Sequence, residues 1–158
     1  MIAVRPGMLG DAPALAALEN ECFSEPWSER ALAQSLTADH TCFFTAVDGE
    51  SGKIVGYVGM LIAADVGEII NVAVTASYRR MGIGRALLAE TERAARMREL
   101  VELQLEVRAS NAPAIALYSS LGYAAVGRRK NFYRKPTEDA LLMNKPLGDP
   151  GDGSVGNT

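Results

Sequence analysis

The chain is poor in residues that bind metals or form cross-links, with two cysteines and one histidine among 158 residues. Cys22 and Cys42 cannot build a disulfide framework. Together with His40 they lack the ligand spacing of a zinc site, so no metal is expected. His40 and Cys42 would share a face of a strand, an arrangement open to a Cys–His nucleophile. A surface histidine beside a buried cysteine is the simpler reading. Long apolar runs are also missing. The longest uncharged apolar stretch, Ile54 to Ala64, is 11 residues, against the about 18–20 that a membrane span needs. Gly7, Gly10, Asp11 and Pro13 interrupt any signal-peptide core behind Arg5. No membrane partner is expected, and the expected compartment is the cytoplasm. The sequence pI of 5.2 lies far below the about 9 of a basic nucleic-acid binder, and no nucleic-acid motif is present. Nucleic acid is therefore not an expected partner.

What is present is an ordinary globular composition, 48% hydrophobic and 22% charged. The length suits one domain with a single core. We expect that domain over 1–147 and a disordered tail over 148–158, where Gly, Pro and Asp leave almost nothing to bury. Charge is unevenly placed. Residues 1–75 carry three bases against ten acids, and residues 76–158 carry thirteen bases against nine acids. A basic half could hold a polyanion and an acidic half a cationic substrate, although scattered solvated charge gives the same split.

Hydrophobic spacing gives the elements. Ile2–Arg5 reads as a strand. Asp11 is placed to cap a helix over 12–21, in which Leu15, Leu18 and Cys22 share a face. Ser28 can cap a helix over 29–38, with Trp27 and Leu32 as a hydrophobic staple. Thr41–Asp48 and Lys53–Ala64 read as a hairpin around turn-forming residues. Gly56 and Gly59 point to a bulge or a close backbone neighbour. Gly67–Thr75 is apolar enough to be covered on both faces. Gly82–Arg98 is a strongly amphipathic helix. Residues 101–108 alternate strictly, with Val101, Leu103, Leu105 and Val107 on one side and Glu102, Gln104, Glu106 and Arg108 on the other. Ser110 or Asn111 caps a helix that Gly122 ends. Tyr123–Gly127, Asn131–Arg134 and Ala140–Asn144 read as terminal strand segments. The order is βααβββαβαββ, an α/β or α+β arrangement.

One segment carries a chemical signal. Arg79-Arg80-Met81-Gly82-Ile83-Gly84-Arg85 follows an apolar strand and opens a strong helix. A helix N-terminus offers unpaired amides and partial positive charge. Glycines admit a ligand close to the backbone, and three arginines add charge, so the turn suits a diphosphate. The third glycine of a dinucleotide fingerprint and the Gly-Lys-Ser/Thr of a nucleoside-triphosphate loop are both missing. A plain glycine-rich helix cap remains the alternative.

Arg79-x-x-Gly82-x-Gly84 resembles the pyrophosphate loop of the GNAT N-acyltransferases, and Asn71-Val72-Ala73-Val74 resembles the signature strand before it. Pro26-Trp27-Ser28-Glu29, residues 71–88, residues 105–123, Arg129–Tyr133 and Glu138–Met143 extend the likeness over most of residues 1–147. They resemble the branch of the family that acetylates the N-terminal alanine of a ribosomal protein. The resemblance implies a mixed, mostly antiparallel central sheet flanked by helices. It implies acetyl-CoA as cosubstrate, no metal, and a protein or peptide N-terminus as partner. On this basis Glu106 matches the general base and Tyr118 the acid toward the leaving thiolate. Cofactor contacts fall on Val72, Ala73, Val74, on Arg79, Arg80, Met81, Gly82, Ile83, Gly84, Arg85, and on Asn111. Glu25, Trp27, Phe132 and Tyr133 border the peptide entrance, and Glu21 adds negative charge there. Read from the residues alone, Glu106 could be an exposed strand carboxylate, Tyr118 and Trp27 packing residues, and Asn111 a helix cap. A small-amine or lysine acetyltransferase, and a non-catalytic acyl-CoA-binding module, stay open as alternatives.

An α-amine of pKa about 7.7–8.0 is partly neutral at physiological pH, whereas a lysine amine at about 10.4 is not. The first asks little of a carboxylate base. A phenol at about 10 gives its proton to a thiolate at about 8.5 only uphill. Tyr118 therefore needs a lowered pKa, or acts mainly by hydrogen bonding.

Overall fold

The computed structural model describes residues 1–148. Apart from Gly148, the expected tail lies outside the described residues. The elements are β1 (Ile2–Pro6), α1 (Ala12–Cys22), α2 (Glu29–Leu36), β2 (Thr41–Asp48), β3 (Ile54–Ala63), β4 (Val66–Val74), α3 (Ile83–Met97), β5 (Glu102–Arg108), α4 (Ala112–Ser120), β6 (Ala124–Tyr133) and β7 (Glu138–Pro146). The order matches the expected one. The two segments read separately over 123–134 form a single strand, β6, whose pairing with β7 is interrupted by irregularities between Ala125 and Gly127 and between Arg129 and Tyr133.

The seven strands form one sheet in the order β1-β2-β3-β4-β5-β7-β6. Every neighbouring pair is antiparallel except β4–β5. Helices cover both faces. Leu15, Leu18 and Leu32 of α1 and α2 pack on Phe43, Tyr57 and Ala73. Ile83, Leu87, Leu88 and Ala95 of α3 pack with Val58, Met60, Leu103 and Leu105 on the other face. The glycines of β3 serve close approach. A Cβ at Gly59 would come within 2.7 Å of the Phe43 ring, and one at Gly56 within 3.0 Å of the Ala73 carbonyl.

Helix capping follows the sequence with one exception. Ser28 Oγ accepts the Ala31 amide at 3.1 Å, and Asn111 Oδ1 accepts the Ala114 amide at 3.3 Å. Asp11 does not cap α1. Its carboxylate instead takes two bonds from Arg5 at 2.8 and 2.9 Å and one from the Met8 amide at 2.9 Å. A bidentate guanidinium outcompetes a single amide, and the pair holds Asp11 below the usual carboxylate range.

A break in the sheet decides where chemistry can occur. Parallel pairing of β4 with β5 ends at Ile69–Leu105. Beyond that point β4 stays on β3 as far as Val74, and β5 stays on β7 as far as Arg108. Asn71 faces Gly59 and Ile69 faces Met60, so Ile70 is the extra residue of a bulge. A bulge sharpens local twist and turns a strand away from its neighbour. The two strands therefore part, leaving a cleft in mid-sheet.

Candidate active site

The β4 side of the cleft exposes backbone. Thr75 donates its amide to Val55 of β3 at 2.9 Å. By the alternation of an antiparallel ladder, Ala73 also turns to β3, while Val72 and Val74 turn their amides and carbonyls toward the gap. Ala73 is thus not a donor to the cleft. The Val74 carbonyl accepts Arg79 Nε at 3.1 Å and Cys22 Sγ at 3.6 Å.

The Arg79–Arg85 turn stands at the end of this strand. Arg80 has φ +65° and Gly82 φ +79°, so the chain doubles back before entering α3. No side chain caps α3, and its first amides have no partner within the helix. A Cβ on Gly82 would meet nothing within 4 Å, so the amides open to solvent. Ile83 is buried and anchors the helix, and Met81 is 60% exposed. The arginines differ in employment. Arg79 is drawn back onto Val74 and Cys22. Arg85 bonds Ser120 Oγ of α4 at 3.0 Å. Arg80 is exposed. An uncapped helix start, a left-handed glycine and free strand amides fit a diphosphate joined to an amide-bearing arm, as in acetyl-CoA. Asn111 remains the cap of α4.

The β5 side carries the titratable groups. Glu106 lies on the face opposite the buried Leu105 and Val107. Its Oε2 is buried without a hydrogen-bond partner among the described residues. Arg129 Nε stands 3.5 Å from it. Burial pushes the Glu106 carboxyl above its ordinary range, Arg129 pulls it down and Glu68 pushes it up. Beside it a cavity of about 170 Å³ is lined by Glu68, Gln104, Glu106, Arg129 and Asn144, with Leu105, Val126 and Leu142. Tyr118, on α4, packs edge-on to Tyr123 with ring centroids 5.8 Å apart. Burial, with the Tyr133 phenol nearby, pushes its pKa up to about 12. The lowered pKa that full proton donation needs is not found. Tyr133 is likewise pushed up to about 12 by burial and by the Glu106 charge. It is thus the member of the Phe132–Tyr133 pair that lies near the Glu106 carboxyl. Phe132 is 44% exposed and lies under Arg129 at 5.5 Å.

Glu21, Glu25 and Trp27, expected at the entrance, are each bonded to other parts of the chain. Glu25 Oε1 accepts the Arg134 amide at 2.7 Å. Glu21 is occupied by Thr75 Oγ1 at 2.7 Å and the Ala76 amide at 2.7 Å. Those bonds hold it below the usual range. Trp27 packs against the cluster containing Leu32, as a staple would. Its amide donates at 2.8 Å to Glu19 Oε1. Glu19 is fully buried, and its Oε2 accepts the Tyr57 hydroxyl at 2.5 Å and Asn71 Nδ2 at 2.9 Å. It joins α1, the loop after it, β3 and β4 behind the cleft. Sequence reasoning missed Glu19, although its spacing from Leu15 placed a carboxylate on the buried stripe of α1. Glu68 was missed as well, because its cross-strand neighbours could not be known.

The description "Acetyltransferase (GNAT) family" matches residues 12–123, and the chain belongs to that family. It is similar to the [ribosomal protein bS18]-alanine N-acetyltransferase of Escherichia coli strain K12, 37% identical over 141 residues, covering 87% of this chain and 92% of that protein. The crystal structure of the Escherichia coli ribosomal-protein-S18-alanine N-acetyltransferase gives a TM-score of 0.88 at 34% identity, over 97% of this chain and 98% of that one. The N-alpha-acetyltransferase RimI of Mycobacterium tuberculosis is 36% identical over 146 residues, 89% of each chain. Arabidopsis thaliana NAA60 in complex with acetyl-CoA shares the fold, with a TM-score of 0.86 at 22% identity over 93% of this chain and 99% of that one.

Proposed function

We propose that this acetyltransferase acts on protein N-termini. It moves the acetyl group of acetyl-CoA directly to the free α-amine of a protein, such as a ribosomal protein that begins with alanine, within a ternary complex. The observation that carries the reading is Glu106, whose buried carboxylate oxygen has no hydrogen-bond partner among the described residues and stands at the edge of a cleft that suits the cofactor. The Escherichia coli and Mycobacterium tuberculosis relatives support the choice of acceptor.

When bound, acetyl-CoA supplies the activated acetyl group. Arg80, Gly82, Ile83 and Gly84 would hold its diphosphate through backbone amides and charge. Val72 and Val74 would hold its arm and polarise the reacting carbonyl. Glu106 takes the proton that the amine loses on attack, with the polar cavity toward Glu68 and Asn144 as the route outward. Tyr118 gives a hydrogen bond to the departing sulfur. Full proton transfer from a phenol at about 12 to a thiolate near 8.5 is uphill by roughly 5 kcal/mol, which favours hydrogen bonding alone. An α-amine, already partly neutral at physiological pH, asks less of a carboxylate base than a lysine amine does. Trp27, Glu25 and Tyr133 would border the acceptor.

Residues 1–147 act as one domain in this reading, supported by the one sheet that all seven strands share. It includes a cytoplasmic location, supported by the bacterial relatives. No helix among the described residues is long and apolar enough to cross a membrane. A coenzyme A release assay tests the acceptor class with free N-terminal peptides, Nα-blocked lysine peptides, polyamines and aminoglycosides. Turnover confined to the free N-terminal peptides is the expected result. Faster turnover of the small amines or of blocked peptides overturns the assignment. Binding of acetyl-CoA without turnover of any acceptor turns the chain into a binding module.

A further inference from the structure

Arg108 leaves β5 two residues after Glu106, on the same face of the strand. Its guanidinium reaches four acceptors. Nη1 donates to the Pro136 carbonyl at 3.0 Å and to Glu138 Oε1 at 3.2 Å. Nη2 donates to the Arg134 carbonyl at 2.8 Å and to Ser24 Oγ at 3.2 Å. Its Cζ lies 4.6 Å from the centre of the Tyr133 ring. One side chain therefore joins the segment 23–28, between α1 and α2, to the turn 134–137, between β6 and β7. The Glu25–Arg134 bond closes the same junction. Glu138 Oε2 also accepts the Ser110 amide at 2.6 Å, which fixes the foot of the turn to the end of β5.

Neither segment has regular structure of its own, and Ser24, Glu25, Arg134 and Lys135 are exposed. Trp27 holds the far end of 23–28 to the core, whereas exposed Ser24 and Glu25 and the turn 134–137 move independently unless something binds them together. Only a planar fork with five donors can serve carbonyls, a carboxylate and a hydroxyl at once while stacking on a ring, so lysine cannot replace it.

We propose that Arg108 is a positioning residue that locks these two segments into one rim and sets the rim's distance from Glu106, so that an acceptor crossing it brings its amine to that carboxylate. This rests on the N-terminal acetyltransferase reading. Among the described residues Arg108 bonds neither the phosphate-binding turn nor the β4 edge, so its influence falls on the acceptor and not on the cofactor.

Steady-state kinetics of Arg108→Gln and Arg108→Lys test the proposal, alongside hydrogen exchange. The peptide KM is expected to rise about tenfold in the Gln variant, the scale of one or two lost hydrogen bonds to a charged group. The Lys variant is expected to recover little of it. The KM for acetyl-CoA should stay within about twofold, because that site lies on other elements. Amides of 23–28 and 134–137 should exchange faster together while α3 and β3 stay as they were. An unchanged peptide KM, or equal rises in both KM values with a lower melting temperature, overturns the proposal. Should the Arg108 variants fail to fold, Ser24→Ala on the exposed rim replaces them. It is expected to raise peptide KM about two- to threefold at constant melting temperature, the size of a surface hydrogen bond, and no rise overturns the proposal. If the protein binds acetyl-CoA yet acetylates no peptide, the functional reading is what has failed. The paired exchange rates of Arg108→Gln, or of Ser24→Ala, then decide the locking by themselves.

Discussion

Arg129 Nε sits 3.5 Å from Glu106 Oε2, within ion-pair range and longer than a good hydrogen bond. The carboxylate is thus partly neutralised yet still open to a proton. Arg129 lowers its pKa and Glu68, across the cavity, raises it, on top of a larger rise from burial. As the proposed base, Glu106 has to be deprotonated, so kcat/KM is expected to rise with pH through its pKa. Arg129→Gln removes the lowering charge and should move the low-pH limb of the profile to higher pH. Glu68→Gln removes the raising charge and should move it to lower pH. A profile that moves the same way in both variants contradicts the assignment of Glu106 as base.

Glu106→Gln should lower turnover about a hundredfold, at the modest end of general-base effects because an α-amine is already partly neutral. Tyr118→Phe should lower it about ten- to a hundredfold, the scale of one hydrogen bond to a developing charge. Calorimetric affinity for acetyl-CoA should be almost unchanged in both. Full turnover in either variant removes that residue from the mechanism.

Gly82→Ala has room for its methyl group, since nothing lies within 4 Å of the new Cβ. Its backbone, at φ +79°, is what resists. A left-handed alanine costs about 1–2 kcal/mol, so the turn should relax and acetyl-CoA affinity should fall about tenfold. Calorimetry at constant melting temperature checks this, and unaltered affinity places the diphosphate elsewhere.

Glu19→Ala leaves the Trp27 amide, the Tyr57 hydroxyl and Asn71 Nδ2 without their acceptor. Burying such donors unpaired should destabilise the fold by about 3 kcal/mol. Thermal unfolding should show a fall of roughly 6–12 °C. A fall of a degree or less contradicts the role given to this carboxylate.

Much of this was legible in the sequence where periodicity and local chemistry agree. The alternation over Glu102–Arg108 fixed which side of β5 is buried, and the Gly82–Gly84 pair located the start of α3. Long-range choices were not legible. Asp11 has the composition of a helix cap, and the guanidinium of Arg5, brought to it by the turn after β1, redirects it. The bulge at Ile70 cannot be read from an apolar run, yet it opens the cleft and decides that Val72 and Val74, not Ala73, face it. Glu25 was expected to border the peptide entrance, and the sequence could not show that one of its carboxylate oxygens accepts the Arg134 amide from another part of the chain.

The most direct measurement uses a peptide with alanine at its free N-terminus and a lysine further along. It is incubated with the protein and acetyl-CoA, and the product is fragmented in a mass spectrometer. The account predicts one acetyl group, on the α-nitrogen of the first residue. An acetyl group on the lysine side chain, or unmodified peptide from protein that demonstrably binds acetyl-CoA, contradicts it.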